Sequence, residues 1–422
     1  MNTLTPPAPL ALRVAGSLAL LGLALTPSEL KLKAADHKNL GKLVGDYYEA
    51  YEAEKGIQEK LAKLVEQIEA TDKKTKTKAL SLVEDWEEVF RVVTGDRLKG
   101  SLKLKKGEVA SVKAKNPNGS EVAFAYSVPK VYPPKNGVLP LVLAVPDAGE
   151  DPAAHLNAHW NDPGLRESAI LVAVTMGSDT TAWGKFGSPE SPGGVFPVMN
   201  TLGVVRREFA VDFNHTFVAG AGQGFAAAET TASVFPHCFA GLIGLGNVAA
   251  SDLVHYTNFR SLPTLLVKGG DGATAIKAKI DELNYANCEL APEGGVAEVA
   301  TWIGKTVRQA YPMQFEFVPT SDYSKRAHWI SISGFTASEN PRIDAKADRA
   351  TNTVTITAQK LTDVTIYLND VLVDLDKPVK FVINGTTQEQ TVARSAEKML
   401  KNQFNEGDWG RLFTAYVSEP IP

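Results

Sequence analysis

The residues whose types and spacing could do chemistry are densest in Phe217-Val218-Ala219-Gly220-Ala221-Gly222-Gln223-Gly224-Phe225-Ala226. An apolar, strand-like run enters a turn in which Gly220, Gly222 and Gly224 alternate with other residues, and an alanine-rich run leaves it. Two kinds of chemistry use such a turn. Glycines flanking a central serine allow a tight strand-to-helix bend that lifts the hydroxyl above a sheet as a nucleophile. A glycine-rich loop opening a helix can instead receive phosphate on its backbone N–H groups. A dinucleotide loop normally follows the first strand of its sheet, with an acidic residue roughly twenty positions on. Here at least three strand-like runs come first, and no acidic residue ends a strand at that distance. The nucleophile turn is the better reading, yet its central residue is Gly222.

A second constellation is Asp151, His155 and His159, spaced i, i+4, i+8 on a predicted helix. Histidines four apart share a helix face and can hold one divalent metal. The glutamate that acts as base in His-Glu-x-x-His is missing, however, and Pro152 makes Asp151 read as an N-cap with proline at the first helical position. A capped helix is therefore favoured over the metal site. The Gly-, Ser- and Pro-rich stretch 177–197 carries Trp183 and Phe186 and is of the kind that lines or covers a pocket. Asp370, Asp374 and Asp376 invite calcium, but strand and turn carboxylates explain them equally well. No cofactor is expected.

These groups need elements to place them. Residues 28–93 are highly charged and helical in pattern, with Leu61, Leu64, Val65 and Ile68 at i, i+3, i+4, i+7. From about 120 to 311 strands alternate with helices: strand-like runs at 122–128, 139–145, 169–175, 216–219, 240–245 and 262–268, and helical ones at 204–209, 225–233 and 296–309. Continuous β-branched runs suit strands buried on both faces, and the alternation predicts a doubly wound, mostly parallel α/β sheet. After Pro312 the pattern turns to strands at 328–333, 352–358, 364–368, 379–383 and 412–417, with one helix at 394–404 and an Asn384-Gly385 hairpin signal. The expected divisions are a helical region at 28–115, the α/β domain at 116–311 and a β-sandwich-like domain at 312–422.

In its middle the chain resembles α/β-hydrolase-fold proteins: bacterial esterases, polyhydroxybutyrate-depolymerase-like proteins and related peptidases. The likeness runs in order from about residue 122 to 311. Val145-Pro146-Asp147-Ala148-Gly149 stands where that family has its oxyanion loop, and Gly220–Gly224 where it has Gly-x-Ser-x-Gly. The run 262–268 followed by Gly269-Gly270-Asp271 resembles the strand ending in the acid. The resemblance implies that Asp147, Ala148 and Gly149 form an oxyanion loop, that Gly220, Gly222, Gln223 and Gly224 form the elbow, and that Asp271 is the acid. It also implies a late histidine, but Ala291-Pro292-Glu293-Gly294-Gly295 has none. Losing triad members costs roughly 10⁴ to 10⁶ in rate. The expectation is a catalytically inactive relative, a pseudo-esterase with a binding or assembly role. The alternative is an active esterase- or peptidase-type hydrolase whose displaced nucleophile, near the elbow, is served by His155, His159 or His237, or by a metal.

A length of 422 residues suggests two or three domains, and 44% hydrophobic with 22% charged residues is ordinary for a soluble globular protein. The net charge of −4 gives no reason to expect nucleic acid, and Lys73, Lys74, Lys76 and Lys78 read as a solvated loop. The expected partner is a small molecule or a protein. Arg13 precedes the apolar run 14–25, too short to span a bilayer but fitting a signal peptide over residues 1–27. Export from a bacterial cell, to periplasm or medium, is expected over a cytoplasmic location, with no membrane span in the mature protein. Cys238 and Cys288 make no disulfide framework, and two buried free thiols are favoured over one bridge.

Overall fold

The computed structural model describes residues 30–98, 100–116, 119–134, 137–188, 191–249, 251 and 253–422. The expected signal segment, residues 1–27, lies outside the described residues. The charged N-terminal stretch forms α1 (Ala34–Glu52), α2 (Ile57–Thr75) and α3 (Val83–Asp96). Apolar stripes explain them: Leu40, Val44, Tyr47 and Tyr48 of α1 and Trp86, Val89, Phe90 and Val93 of α3 are buried. Buried Asp85 accepts N–H bonds from Lys31 and Leu32 and faces Nε2 of His37 at 2.8 Å, which ties the helix ends together.

The central sheet begins earlier than residue 116, with β1 (Val109–Lys115) pairing antiparallel to β2 (Glu121–Ser127). The half-exposed alternation of β1 hides it among the charged residues before it. Then follow β3 (Leu139–Val145), α4 (Pro152–His159), α5 (Pro163–Ser168), β4 (Ile170–Val174), α6 (Val195–Glu208), β5 (Val211–Ala221), α7 (Gly224–Val234), β6 (Gly241–Leu245), β7 (Thr264–Val267), α8 (Gly270–Glu282), β8 (Cys288–Ala291) and α9 (Val296–Lys305). The eight strands lie in the order β1-β2-β4-β3-β5-β6-β7-β8; β2 is antiparallel to β4, and every pair from β4 to β8 is parallel. Alternate side chains of these strands enter two cores. Leu141, Leu143, Val218 and Leu242 face α6, α7 and α8 in one core, which α1, α3 and the later helix α10 (Ala396–Glu406) also share. Val142, Phe217, Ile243 and Leu265 face α4, α5 and α9 in the other. This is an α/β-hydrolase-like sheet with helices on both faces.

The C-terminal part holds β9 (Gln314–Phe317), β10 (Arg326–Ala327), β11 (Ile330–Ser333), β12 (Arg342–Asp348), β13 (Thr353–Gln359), β14 (Asp363–Leu368), β15 (Val379–Ile383), β16 (Thr386–Gln390) and β17 (Ala415–Pro420). They form sheets ordered β10-β11-β14-β17 and β16-β15-β13-β12-β9, antiparallel except for β13 with β15. Phe315, Trp329, Ile356, Ile366 and Phe381 fill a core of their own between them. Asn384 and Gly385 both have positive φ, +46° and +83°, as the two-residue hairpin between β15 and β16 requires.

The central and C-terminal parts are joined by buried polar groups as well as apolar ones. Arg308 donates to Asn214 Oδ1, to the His237 carbonyl and with two nitrogens to Asp408, at 2.6 and 2.9 Å. Both cysteines are free and buried. Lys74 pairs with Asp36 and Lys78 with Asp376, so part of the lysine run serves surface ion pairs. Among the described residues no helix is long and apolar enough to cross a membrane.

Candidate active site

The turn after β5 has the geometry its glycines suggest. A Cβ on Gly220 would lie 2.4 Å from Phe225 Cα, and one on Gly224 would lie 2.2 Å from the Pro146 carbonyl oxygen. Helix α7 and the end of β3 approach too closely for side chains at either position. Gly222 sits between them with φ +49°, the left-handed conformation that favours glycine. Strand β5, this turn and α7 form a sharp elbow, and its central residue points toward the loop after β3.

That loop delivers Asp147. Its Oδ1 accepts hydrogen bonds from the backbone N–H of Gln223 at 2.8 Å and of Ala148 at 2.7 Å. In α/β-hydrolases an oxyanion is held by the N–H of the residue after the nucleophile and one from the loop after the third strand. Gln223 and Ala148 supply donors from those two places, and a carboxylate oxygen already bridges them. A Cβ on Gly222 would lie 2.4 Å from Asp147 Cγ and Oδ2 and 2.5 Å from Oδ1. A side chain at 222 and the carboxylate of Asp147 thus compete for one volume. Charge-assisted bonds and the N-terminus of α7 favour the anion there. Gly149, also expected in this loop, has φ +76° and open space around its Cα.

Above the elbow lies a cavity of about 530 Å³ lined by Asp147, Gly222, His159, Trp160, Asn247 and Lys268, among others. Asp271 is not among its lining residues. It is exposed in the first turn of α8, and at the end of β7 Lys268 reaches the cavity instead. Gly294 and Gly295 line the wall where the resemblance implies a histidine. The histidine that does line the cavity, His159, comes from α4 and lies 3.3 Å from Glu150 Oε1 through Nε2.

Glu150, His155 and His159 converge, each offering one ligand atom within 4.8 Å of the others. Asp151, expected beside the two histidines, is elsewhere: its Oδ1 accepts the Ala154 N–H at 2.8 Å as the N-cap of α4. Glu150, one residue earlier, takes its place in the cluster. A proline following Asp151 was the available signal, since the cap turns that carboxylate back onto its own helix. Trp160 decides whether the cluster suits a metal. Its indole N–H donates to His155 Nε2 at 3.1 Å, while His155 Nδ1 faces Glu150 Oε2 at 2.7 Å. An indole nitrogen can only donate, so Nε2 carries no proton and Nδ1 does. Burial, first, holds the His155 pKa below its ordinary value despite Glu150, and the ring is neutral. Metal on Nδ1 would push the proton onto Nε2, against the indole N–H. The donor set therefore does not fit a metal as arranged.

A Ser–His contact does exist away from the elbow. Ser261 Oγ and His328 Nε2 are 2.8 Å apart where the central and C-terminal parts meet. Both are buried, Phe315 packs 4.7 Å from the imidazole, and His328 Nδ1 has no partner. Among the described residues no carboxylate orients this ring, and it serves as a contact between the central and C-terminal parts. His237 is buried beside it, ring centroids 6.2 Å apart, and is likewise remote from the elbow. Of the C-terminal aspartates, Asp370 and Asp376 pair with Arg394 and Asp374 with Lys377. On the loop 177–197, Trp183 donates to the Gly177 carbonyl and Phe186 stacks on Tyr323.

No family model and no curated protein matches the chain. Solved structures similar to it include a thermostable esterase, 17% identical over 48% of this chain and 64% of that one, with a TM-score of 0.38. An S-formylglutathione hydrolase from Staphylococcus aureus is 11% identical over 47% of this chain and 98% of its own, TM-score 0.37. MPT51 of Mycobacterium tuberculosis is also 11% identical, over 47% and 97%, TM-score 0.36. The α/β-hydrolase-like character of the central region is carried by its own strand order and by the elbow between β5 and α7.

Proposed function

We propose that this chain is a catalytically silent α/β-hydrolase homologue whose cavity binds a ligand without turning it over. The observation that carries this is the Asp147 carboxylate bridging Gln223 N–H and Ala148 N–H. An oxyanion site works by offering preorganised donors to charge that develops in the transition state. Donors already saturated by a fixed anion offer little to a second one, and a carboxylate there repels it. Gly222 brings no nucleophile, and the glycines at 294 and 295 bring no base. With Oδ1 taken up, Asp147 presents Oδ2 to a ligand with N–H or O–H donors, such as a small amine or amide or a protein loop. The test is a panel of p-nitrophenyl esters and aminoacyl amides, together with a fluorophosphonate probe, on the folded protein. Neither turnover above that of a Asp147→Ala variant nor serine labelling is expected. Probe on one serine would end this reading.

One feature favours a second reading, an active hydrolase with a displaced nucleophile. Asp147 puts a carboxylate where a serine side chain would project, and His159 shares its cavity. Attack by Oδ2 on an electrophilic sp³ carbon, whose leaving group departs as an anion, would give an enzyme ester; water would cleave it at the carboxyl carbon, releasing the alcohol and restoring the carboxylate. Turnover in ¹⁸O-water would then leave label in the Asp147 carboxyl, read by mass spectrometry. We also infer export, from the apolar run 14–25; N-terminal sequencing of the protein recovered from its native cells tests it.

A further inference from the structure

Far from the elbow, α1, α3, α6 and α10 enclose a cavity of about 680 Å³, within the range of small-molecule sites. Its walls are largely apolar, from Phe90 of α3, Met199 and Leu202 of α6, and Phe404 of α10. Its charges are unbalanced. Arg97 pairs with Glu52 and lies over the Tyr48 ring. Glu406 is engaged by Arg326 and Arg411. Arg206 and Arg207 also line the cavity, and among the described residues neither has a carboxylate partner.

Arg206 lies with its guanidinium 4.6 Å from the Phe213 ring centroid. Its one hydrogen bond is a 3.4 Å contact to the Cys238 carbonyl, and its buried Nε has no partner. The buried carboxylate nearest in sequence to this wall, Asp408, feels the Arg206 charge but has both oxygens bonded to Arg308. Arg207 has a single contact at 3.5 Å, to Asn116 Oδ1. Gln403 of α10 also lines the cavity. A carboxylate in the cavity would give both guanidinium groups the short, charge-assisted bonds that their long contacts to Cys238 and Asn116 do not supply. Two guanidinium groups on one wall favour an anion, and the rest of the wall favours hydrocarbon.

We propose that this cavity binds an amphipathic carboxylate, its head on Arg206 and Arg207 and its hydrocarbon body against Phe90, Met199, Leu202 and Phe404. Arginine suits that head because its planar donors match a carboxylate bidentately. The site is separate from the one above Gly222 and does not depend on it.

Titration calorimetry on the full chain with octanoate, and with octylammonium at the same concentrations, tests the proposal. Octanoate should bind saturably at one per chain, weaken as salt rises, and raise Tm; octylammonium should do none of these. Arg206→Gln with Arg207→Gln should weaken octanoate at least thirtyfold at unchanged circular dichroism. If that pair fails to fold, Arg207→Gln alone should weaken it about tenfold, since Arg207 holds only one long contact. Equal binding of both amphiphiles, no binding of octanoate up to millimolar concentration, or undiminished binding by a folded variant would each overturn it.

Discussion

Asp147 and Gly222 occupy one volume between them: the carboxylate carbon of the first stands 2.4 Å from where a Cβ of the second would be. The glycine therefore makes room for the anion held on Gln223 and Ala148. Gly222→Ser should destabilise by roughly 1–3 kcal/mol, from the positive φ and from displacing Asp147. Asp147→Gly should recover part of that loss in the double variant. A coupling of about 1 kcal/mol in urea denaturation is expected, because contacting sites are not additive. Strict additivity would mean that the two positions do not compete.

Glu229 of α7 is fully buried, with Oε1 accepting from Tyr256 OH at 2.6 Å and Oε2 from Ser251 N–H at 3.3 Å. Burial, against the two hydrogen bonds, pushes its pKa up to about 8. The folded state thus holds a proton that the unfolded chain gives up near its ordinary carboxylate value. Where the unfolded state binds fewer protons, stability falls as pH rises. Stability should be greatest below about pH 4.5 as far as this group is concerned, decline through the interval to pH 8, and level off above. The fall should be roughly 2–5 kcal/mol, and Glu229→Gln should flatten it. Denaturant midpoints at pH 5, 6.5 and 8 for both proteins check the sign.

Much of the fold was legible because its pattern is local. Strands β3 and β15 fall at 139–145 and 379–383 as expected, since their apolar runs are bounded by proline, glycine or charge. β1 and β8 of the central sheet were missed, both edges with exposed positions whose side chains alternate weakly and resemble loop; β9, β12 and β16 of the C-terminal part were missed as well. The elbow glycines were legible from their spacing alone. The role of Asp147 was not, because bridging Gln223 and Ala148 depends on how closely the loop after β3 approaches α7. The partnership of Glu150 and Trp160 with His155 was hidden for the same reason. Gln403 and Arg206 are nearly two hundred residues apart, and nothing in either segment announces a shared cavity.

The Trp160 indole decides the state of His155, so metal binding should be switchable. Zinc or EDTA should leave the Tm of the unaltered protein unchanged, because a ligand that binds the native state raises it and none is expected to bind. Trp160→Phe removes the donor that keeps Nε2 deprotonated. His155 can then place its proton on Nε2 and offer Nδ1 to zinc alongside Glu150 and His159. The variant should be less stable, having lost a buried indole, but its Tm should rise with zinc. A zinc-dependent Tm in the unaltered protein would contradict the assignment of the proton.

Arg308 and Asp408 join the central sheet to the segment that leads out of α10, each side chain no more than 2% exposed. Desolvation opposes ionisation of Asp408, yet the Arg308 guanidinium beside it holds its carboxyl well below the usual range. Removing one partner of such a pair leaves the other charge buried and uncompensated, at a cost of roughly 3–5 kcal/mol. Asp408→Leu should show that loss. The double change Arg308→Met with Asp408→Leu should restore most of it, since a well-packed apolar pair replaces a desolvated ionic one. Arg308 also bonds Asn214 and the His237 carbonyl, so restoration should be incomplete. Equal instability of the single and double variants would instead assign the contact's worth to those neutral bonds, leaving the ion pair little share in joining the central sheet to the segment after α10.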